Sequence, residues 1–227
     1  MTDGVLYTIS IWVLPLVIAI TFHEAAHGFV AWRLGDPTAY RRGRVTFNPL
    51  KHIDLFGTIV LPTLLFLARS PFLFGYAKPV PVNFAALRRP RRDMVWVALA
   101  GPGINLVLAV VFAAGLHIAV LLPPVAGEWL ASNLINGLIL NIFLAVFNMI
   151  PIPPLDGGRV AVGLLPRALA LPLARLERWG FLIIIGAIFL GPYIGNAVGL
   201  NVDIFAWVVG PPVRFLLNAI GTLVGVS

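Results

Sequence analysis

The sequence has no cysteine and very little charge. Without cysteine among its 227 residues, disulfides and thiolate metal sites are excluded, and any metal must be held by His, Asp or Glu. Charged residues make up 11% of the chain, against about 25% in an ordinary soluble domain. Water therefore does not solvate most of this protein. Internal repeats, low-complexity tracts and stretches long enough for an extramembrane domain are also missing. So are the ~10-residue alternating segments of a transmembrane barrel. What remains is continuous apolar sequence. Hydrophobic residues account for 59% of the chain, and several runs approach or exceed the roughly 20 residues that cross a bilayer core. The expected fold class is an all-α polytopic membrane protein in a single domain, 1–227, with about five to six transmembrane helices. The net charge of +7 would suggest nucleic acid in a soluble protein. Here the basic residues flank apolar spans, which is the signature of membrane orientation, so the partner expected is the lipid bilayer and no nucleic acid.

Span one is expected over about residues 5–32, too long for the core of a cleaved leader. A basic loop with Arg41, Arg42, Arg44 and Lys51 follows. A short apolar segment, about 55–68, is interrupted by Pro62. Prolines and alternating valines in GYAKPVPVNFAAL (75–87) predict an extended, edge-strand-like loop. Spans three and four are expected at about 94–122 and 133–150, separated by a loop at about 123–132. After the break PIPPLDGGR comes a partly polar segment with Arg159, Arg167, Arg175 and Arg178. Span five is expected at about 179–199. A last apolar segment, 204–226, is broken by Gly210, Pro211 and Pro212, and its topology stays open. The loop between spans three and four and the turn after span five lack Lys and Arg, which puts them outside. The basic stretches then lie on the cytoplasmic side of a cell membrane. The chain is inside at Arg44 and again at Arg92, so the stretch between them crosses twice or not at all. Irregular backbone at membrane depth needs protein or a wet cavity to satisfy it, so this stretch is expected to re-enter and line such a cavity.

Within span one stands HEAAH. Its histidines, His23 and His27, are four apart and share one helix face, so both imidazoles can reach one metal ion. Glu24 beside them can act as general base. A chance HExxH is expected on the order of once in a thousand sequences with so few His and Glu, and ionisable groups within a span are functional by default. A catalytic zinc usually takes a third protein ligand. Asp3, Glu128 and Asp203 fall at the outer side or a terminus. Asp36, Asp93 and Glu177 stand in loops beside basic residues, where solvated charge is the plain explanation. Asp54 and Asp156 remain. His27 lies about 9 Å from the inner end of span one at 1.5 Å per residue. That depth matches Asp156 at the inner end of span four and favours it, although an Asp before two glycines also reads as a turn residue. Asn141 and Asn148 share one face of span four. Asn148 could orient a water, a ligand or a substrate carbonyl, or could bond a neighbouring helix. Asn105, after AGPG, reads first as packing. His52 and Asp54 could support the site from behind or cap a loop. His117 reads as structural.

Together HEAAH, GDPTAYRRGRVTFNPLKHIDLFGT, GYAKPVPVN, AGPGIN and FNMIPIPPLDGGR resemble the site-2 protease family of intramembrane metalloproteases, the M50 peptidases. The resemblance spans roughly 15–160 and looks most like the compact bacterial branch without PDZ or CBS domains. The C-terminal membrane segments, 177–227, lie beyond it. It implies one Zn2+ per chain held by His23, His27 and Asp156, with Glu24 as the catalytic base. It also implies a site-orienting role for Asn148 and a membrane re-entrant β-like loop, near substrate, at GYAKPVPVN. A Leu in HIDLFGT, where related sequences often carry Pro, affects only the loop entry. The activity implied is zinc-dependent hydrolysis of peptide bonds in transmembrane-helix protein substrates, on the cytoplasmic side. The unwound substrate would add to an edge strand formed by Val80, Pro81, Val82 and Asn83. The oligomeric state is left open, a homo-oligomer included. The competing reading is a non-hydrolytic metal-binding or metal-transport protein. A transporter needs ligands at several depths, whereas this sequence concentrates them at one. An inactive scaffold for membrane helices would have no use for both histidines and Asp156.

Overall fold

The computed structural model describes residues 4–60, 64, 77–197 and 204–226. Among these residues the α-helices are α1 Val5–Arg33, α2 Thr38–Arg41, α3 Pro90–Ala119, α4 Pro124–Asn148, α5 Asp156–Leu164, α6 Arg167–Arg175, α7 Glu177–Ala197 and α8 Ile204–Val224. Short helical turns at Pro49–Lys51, Leu55–Val60 and Phe84–Ala86 lie between α2 and α3. Among the described residues there is no strand. Among the described residues four helical stretches are long and apolar enough to cross a membrane: Leu6–Arg33, Pro90–Ala119, Pro124–Asn148 and Ala206–Val224. The protein is an all-helical membrane protein.

Its centre is the bundle of α1, α3 and α4, which pack pairwise against one another, with α8 laid against α4 and α3. The buried positions are mostly small: Ala19, Ala25 and Ala31 on α1, Ala98, Ala109 and Ala113 on α3, and Ala145 on α4. Small residues let helix backbones approach closely where apolar burial alone gives no driving force in lipid. Large side chains such as Leu6, Val107, Val111 and Ile118 point outward, as a lipid-facing surface requires. Polar contacts tie the bundle together away from the core. The Asn136 amide donates to the Ile11 carbonyl at 2.8 Å, and Trp129 Nε1 donates to Ser10 Oγ at 2.9 Å. His117 ties α3 to the end of α8 through the Val224 carbonyl at 2.9 Å.

Three boundaries differ from those read in the sequence. Helix α3 begins at Pro90 and takes the arginines into its first turn. Proline suits a first helical position, and the Asp93 carboxylate accepts from the Arg89 N–H at 2.8 Å. Asp93 is therefore buried and capping, not a solvated loop charge. Helix α4 starts at Pro124, again a proline-led first turn, so the loop expected at 123–132 shrinks to the residues before Pro124. The apolar segment after 204 runs as one helix through Pro211 and Pro212. The backbone groups that prolines free in a membrane helix can be satisfied by local adjustment and neighbours. The remainder of the 55–68 segment, the start of GYAKPVPVN and the turn before α8 lie outside the described residues.

Candidate metal centre

The four-residue spacing of His23 and His27 sets both imidazoles on the α1 face that meets α3. The turn leaving α4 brings Asp156, the first residue of α5, to the same point. All three are buried. His23 Nε2 and His27 Nε2 stand 3.0 Å apart, and the Asp156 Oδ2 oxygen lies 3.2 Å from the first and 3.3 Å from the second. Tetrahedral zinc with bonds of about 2.0–2.1 Å separates its ligand atoms by about 3.3 Å. The triangle therefore has the right size to hold zinc on three protein ligands with a fourth position open. Among the described residues it is the one such cluster.

The hydrogen-bond chemistry fits a cation as well. His27 Nδ1 faces the Val97 carbonyl at 2.7 Å. A carbonyl only accepts, so Nδ1 carries the proton and the Nε2 lone pair of the neutral ring points into the triangle. The Asp156 oxygen there is buried without a hydrogen-bond donor. Room for an ion comes from α3. A Cβ at Gly101 would overlap both imidazoles. Gly157 and Gly158, which follow Asp156, lie against the backbone of Met149 and of Ile152–Pro153 so closely that a Cβ at either would overlap it. These glycines let α5 dock its first residue under α1.

Glu24, half-buried beside His23, accepts from the backbone N–H of Val80 at 2.6 Å. The stretch around Val80 is neither helix nor strand and is held from several sides. The Lys78 N–H donates to the His52 carbonyl at 2.9 Å, and its carbonyl accepts from Arg44 Nη2 at 2.6 Å. The Asn83 N–H donates to Asp36 Oδ2 at 2.6 Å. A buried His–His–Asp triangle with a carboxylate next to it is the set of groups that metal-assisted hydrolysis uses, and here a loop backbone N–H rests on that carboxylate.

Comparison with known proteins agrees. The sequence model of peptidase family M50 matches residues 125–190, a stretch that contains Asp156. YwhC of Bacillus subtilis, provisionally named a zinc metalloprotease, is 38% identical over 188 residues, 79% of this chain and 80% of the relative. The chain belongs to peptidase family M50. Rip2 of Mycolicibacterium smegmatis, with the same provisional name, is 34% identical over 170 residues, 74% of this chain and 62% of the relative. A third so named, from Methanocaldococcus jannaschii, is 29% identical over 161 residues, 68% of this chain and 72% of the relative. No solved structure matches the chain. This M50 peptidase is a membrane zinc metalloprotease of the site-2 type, and zinc is the metal its His–His–Asp group suits.

The M50 chain brings some of the sequence candidates to the centre and leaves others apart. Asn105, which read first as packing, lies 2.5 Å from His23 Nδ1 through its Oδ1, and Asn141 bonds Asn105. Asn148 donates to the Leu144 carbonyl of its own helix at 2.9 Å. His52 supports the loop through its carbonyl, while its ring Nε2 lies 3.0 Å from the Thr46 carbonyl. Asp54 accepts from the N–H groups of Phe56 and Gly57, the loop-cap role. Val82 packs against the small core cluster formed by Ala31, Leu87 and Val97, and Asn83 Oδ1 caps the turn after it by accepting from the Ala85 N–H. Pro81 stands between them with no N–H to offer.

Asp36 is a correction. It read as a solvated loop charge, yet it is fully buried, accepting from the Thr38 N–H and hydroxyl as well as from Asn83. Arg44 read only as a cytoplasmic charge and is a buried clamp on the loop. Asp36 had a signal: GDP directly after a helix end is a turn whose Asp side chain folds back on its own backbone. Gly101 and the Val97 carbonyl had none beyond the AGPG string.

Proposed function

We propose that this M50 peptidase hydrolyses peptide bonds in or next to transmembrane segments of membrane proteins, in the manner of regulated intramembrane proteolysis. In this reading His23, His27 and Asp156 hold the zinc and Glu24 is the general base. The observation that carries it is the buried His23–His27–Asp156 triangle, with the Glu24 carboxylate next in sequence, inside an apolar helix. Zinc bound there supplies Lewis-acid polarisation of the carbonyl and a lowered pKa for the attacking water. Glu24 takes a proton from that water as it attacks the scissile carbonyl, then delivers it to the departing amine nitrogen. Asn148, whose amide donates one hydrogen to the Leu144 carbonyl, would turn its second toward a substrate carbonyl.

A helical substrate keeps its carbonyls in its own hydrogen bonds, so it must unwind to be cut. The stretch Val80–Pro81–Val82–Asn83 would take the unwound segment by strand addition. Because the Val80 N–H rests on Glu24, pairing of substrate with Val80 and release of the base would be one event. The finer topology belongs to the same proposal. Five to six spans counting α7, a re-entrant loop between the second and third spans, and a site open to the cytoplasmic side of the cell membrane follow from the apolar runs and the placement of Lys and Arg.

The test uses purified wild type and Glu24→Gln, zinc analysis, and a model single-span substrate. Zinc in both with cleavage by wild type alone supports the proposal. Equal cleavage by the variant overturns the role of Glu24. Zinc movement across proteoliposomes without cleavage overturns the protease reading.

A further inference from the structure

Behind His23 runs a line of amides that ends on a backbone carbonyl, and the polarity of the whole line can be read from that end. Asn141 and Asn105 are both fully buried. The Gly137 carbonyl of α4 can only accept, and the group facing it at 2.8 Å is therefore the Asn141 NH2. That turns Asn141 Oδ1 toward α3, where it accepts from the Asn105 NH2 at 2.7 Å. The same Asn105 NH2 faces a second obligate acceptor, the Ala19 carbonyl of α1, at 3.4 Å. Asn105 Oδ1 is thus left pointing at His23 Nδ1, 2.5 Å away. An amide oxygen there requires the proton on Nδ1, so the Nε2 lone pair of the neutral ring faces the metal triangle.

We infer that Asn105 and Asn141 are positioning residues that fix the tautomer and orientation of His23 for metal binding, with the Gly137 carbonyl as the anchor that sets their direction. This rests on His23 being a zinc ligand. His27 obtains the same result without side chains, from the Val97 carbonyl. Groups that hold the far nitrogen of a metal-bound histidine typically contribute 10–100-fold to metal affinity. Asn141 touches neither the histidine nor the metal. Its effect reaches the site only through the rotation of the Asn105 amide.

The test uses the full-length protein in detergent with Asn105→Leu, Asn141→Leu, Asn136→Leu and His23→Gln. Asn136→Leu removes an interhelical amide bond of the same kind, to Ile11, and leaves every group of the line in place. Helical content and thermal unfolding report folding, and zinc affinity is read by chelator competition. Co2+ substitution supplies a second readout, because ring N–H protons of cobalt-bound histidines give shifted, exchangeable proton resonances. Wild type should show two slowly exchanging N–H signals. Asn105→Leu should lose affinity by about 10–100-fold, and Asn141→Leu by a smaller factor. In both, one N–H signal should exchange rapidly while the other is unchanged. Asn136→Leu should match wild type.

If Asn141→Leu keeps wild-type affinity and both slow signals, the inference is overturned. Equal losses in Asn136→Leu would mean general loosening of the bundle and would overturn it too. Retention of zinc by His23→Gln would instead overturn the ligand assignment beneath it. Loss in His23→Gln with no change in the Asn variants would leave that assignment standing and remove the line of amides.

Discussion

The backbone N–H of Val80 donates to the Glu24 carboxylate at 2.6 Å, joining the proposed general base to the proposed substrate-binding segment across 56 positions of sequence. Val80 is buried, so this donor has little recourse to water. Glu24→Gln keeps an oxygen acceptor for it, whereas Glu24→Ala does not. Both variants should lose cleavage, by about 10²–10⁴-fold for a lost general base. They should differ in stability: only Glu24→Ala strands a buried N–H, a loss of about 1–3 kcal/mol. Thermal unfolding and limited proteolysis of the loop separate them, and equal unfolding temperatures would refute the contact.

Gly101 and Gly103 lie two residues apart on α3, yet only one has space for a side chain. A Cβ at Gly101 would overlap both imidazoles, while nothing stands within 4 Å of one at Gly103. Gly101→Ala should therefore lose zinc and all activity, with Gly103→Ala close to wild type in both. Zinc per chain, measured after purification, decides it.

Asp36 gathers two N–H groups and a hydroxyl at the foot of α1. Asp36→Ala should destabilise the protein by about 2 kcal/mol, as expected when buried donors lose their acceptor. Its functional mark should be a raised KM with zinc content unchanged, because the loop moves and the triangle does not. A variant that lost zinc in proportion to activity would contradict this.

Removing zinc leaves a lone pair of His27 and the Asp156 carboxylate facing one another with no cation between them. Chelation should lower the unfolding temperature, and free zinc should restore it. At a thousandfold excess over Kd the stabilisation is about 4 kcal/mol. Asp156→Ala should abolish most of that zinc dependence. Calorimetry with and without chelator checks both.

Much of the site was legible because its chemistry is carried by rare side chains at a diagnostic spacing. His23, Glu24 and His27 stand in an apolar helix whose limits, Val5 and Arg33, the sequence showed to within one residue. Asp156 emerged from depth and from resemblance. Other features were hidden for physical reasons. The Val97 carbonyl has no residue identity to read. Gly101 matters for an atom it lacks. Asp36 stood among basic residues and looked solvated; GDP marked its local turn, but its bond to the remote Asn83 N–H left no mark in sequence. The starts of α3 and α4 were placed late because arginines and Glu128 looked like loop, while Pro90 and Pro124 open helical turns that admit such charges at a membrane surface.

The two histidines lean on α3 in different currencies, and that has a genetic consequence. His27 relies on the main chain at Val97, which every amino acid supplies, so no substitution there can delete the hydrogen bond. His23 relies on the side chain of Asn105, which one nucleotide change can remove. A saturation screen for inactive alleles should therefore recover position 105 for nearly every replacement. At position 97 it should recover only replacements too large or too polar for the site. The robustness of this metal centre to mutation is lopsided, with the weaker side at His23.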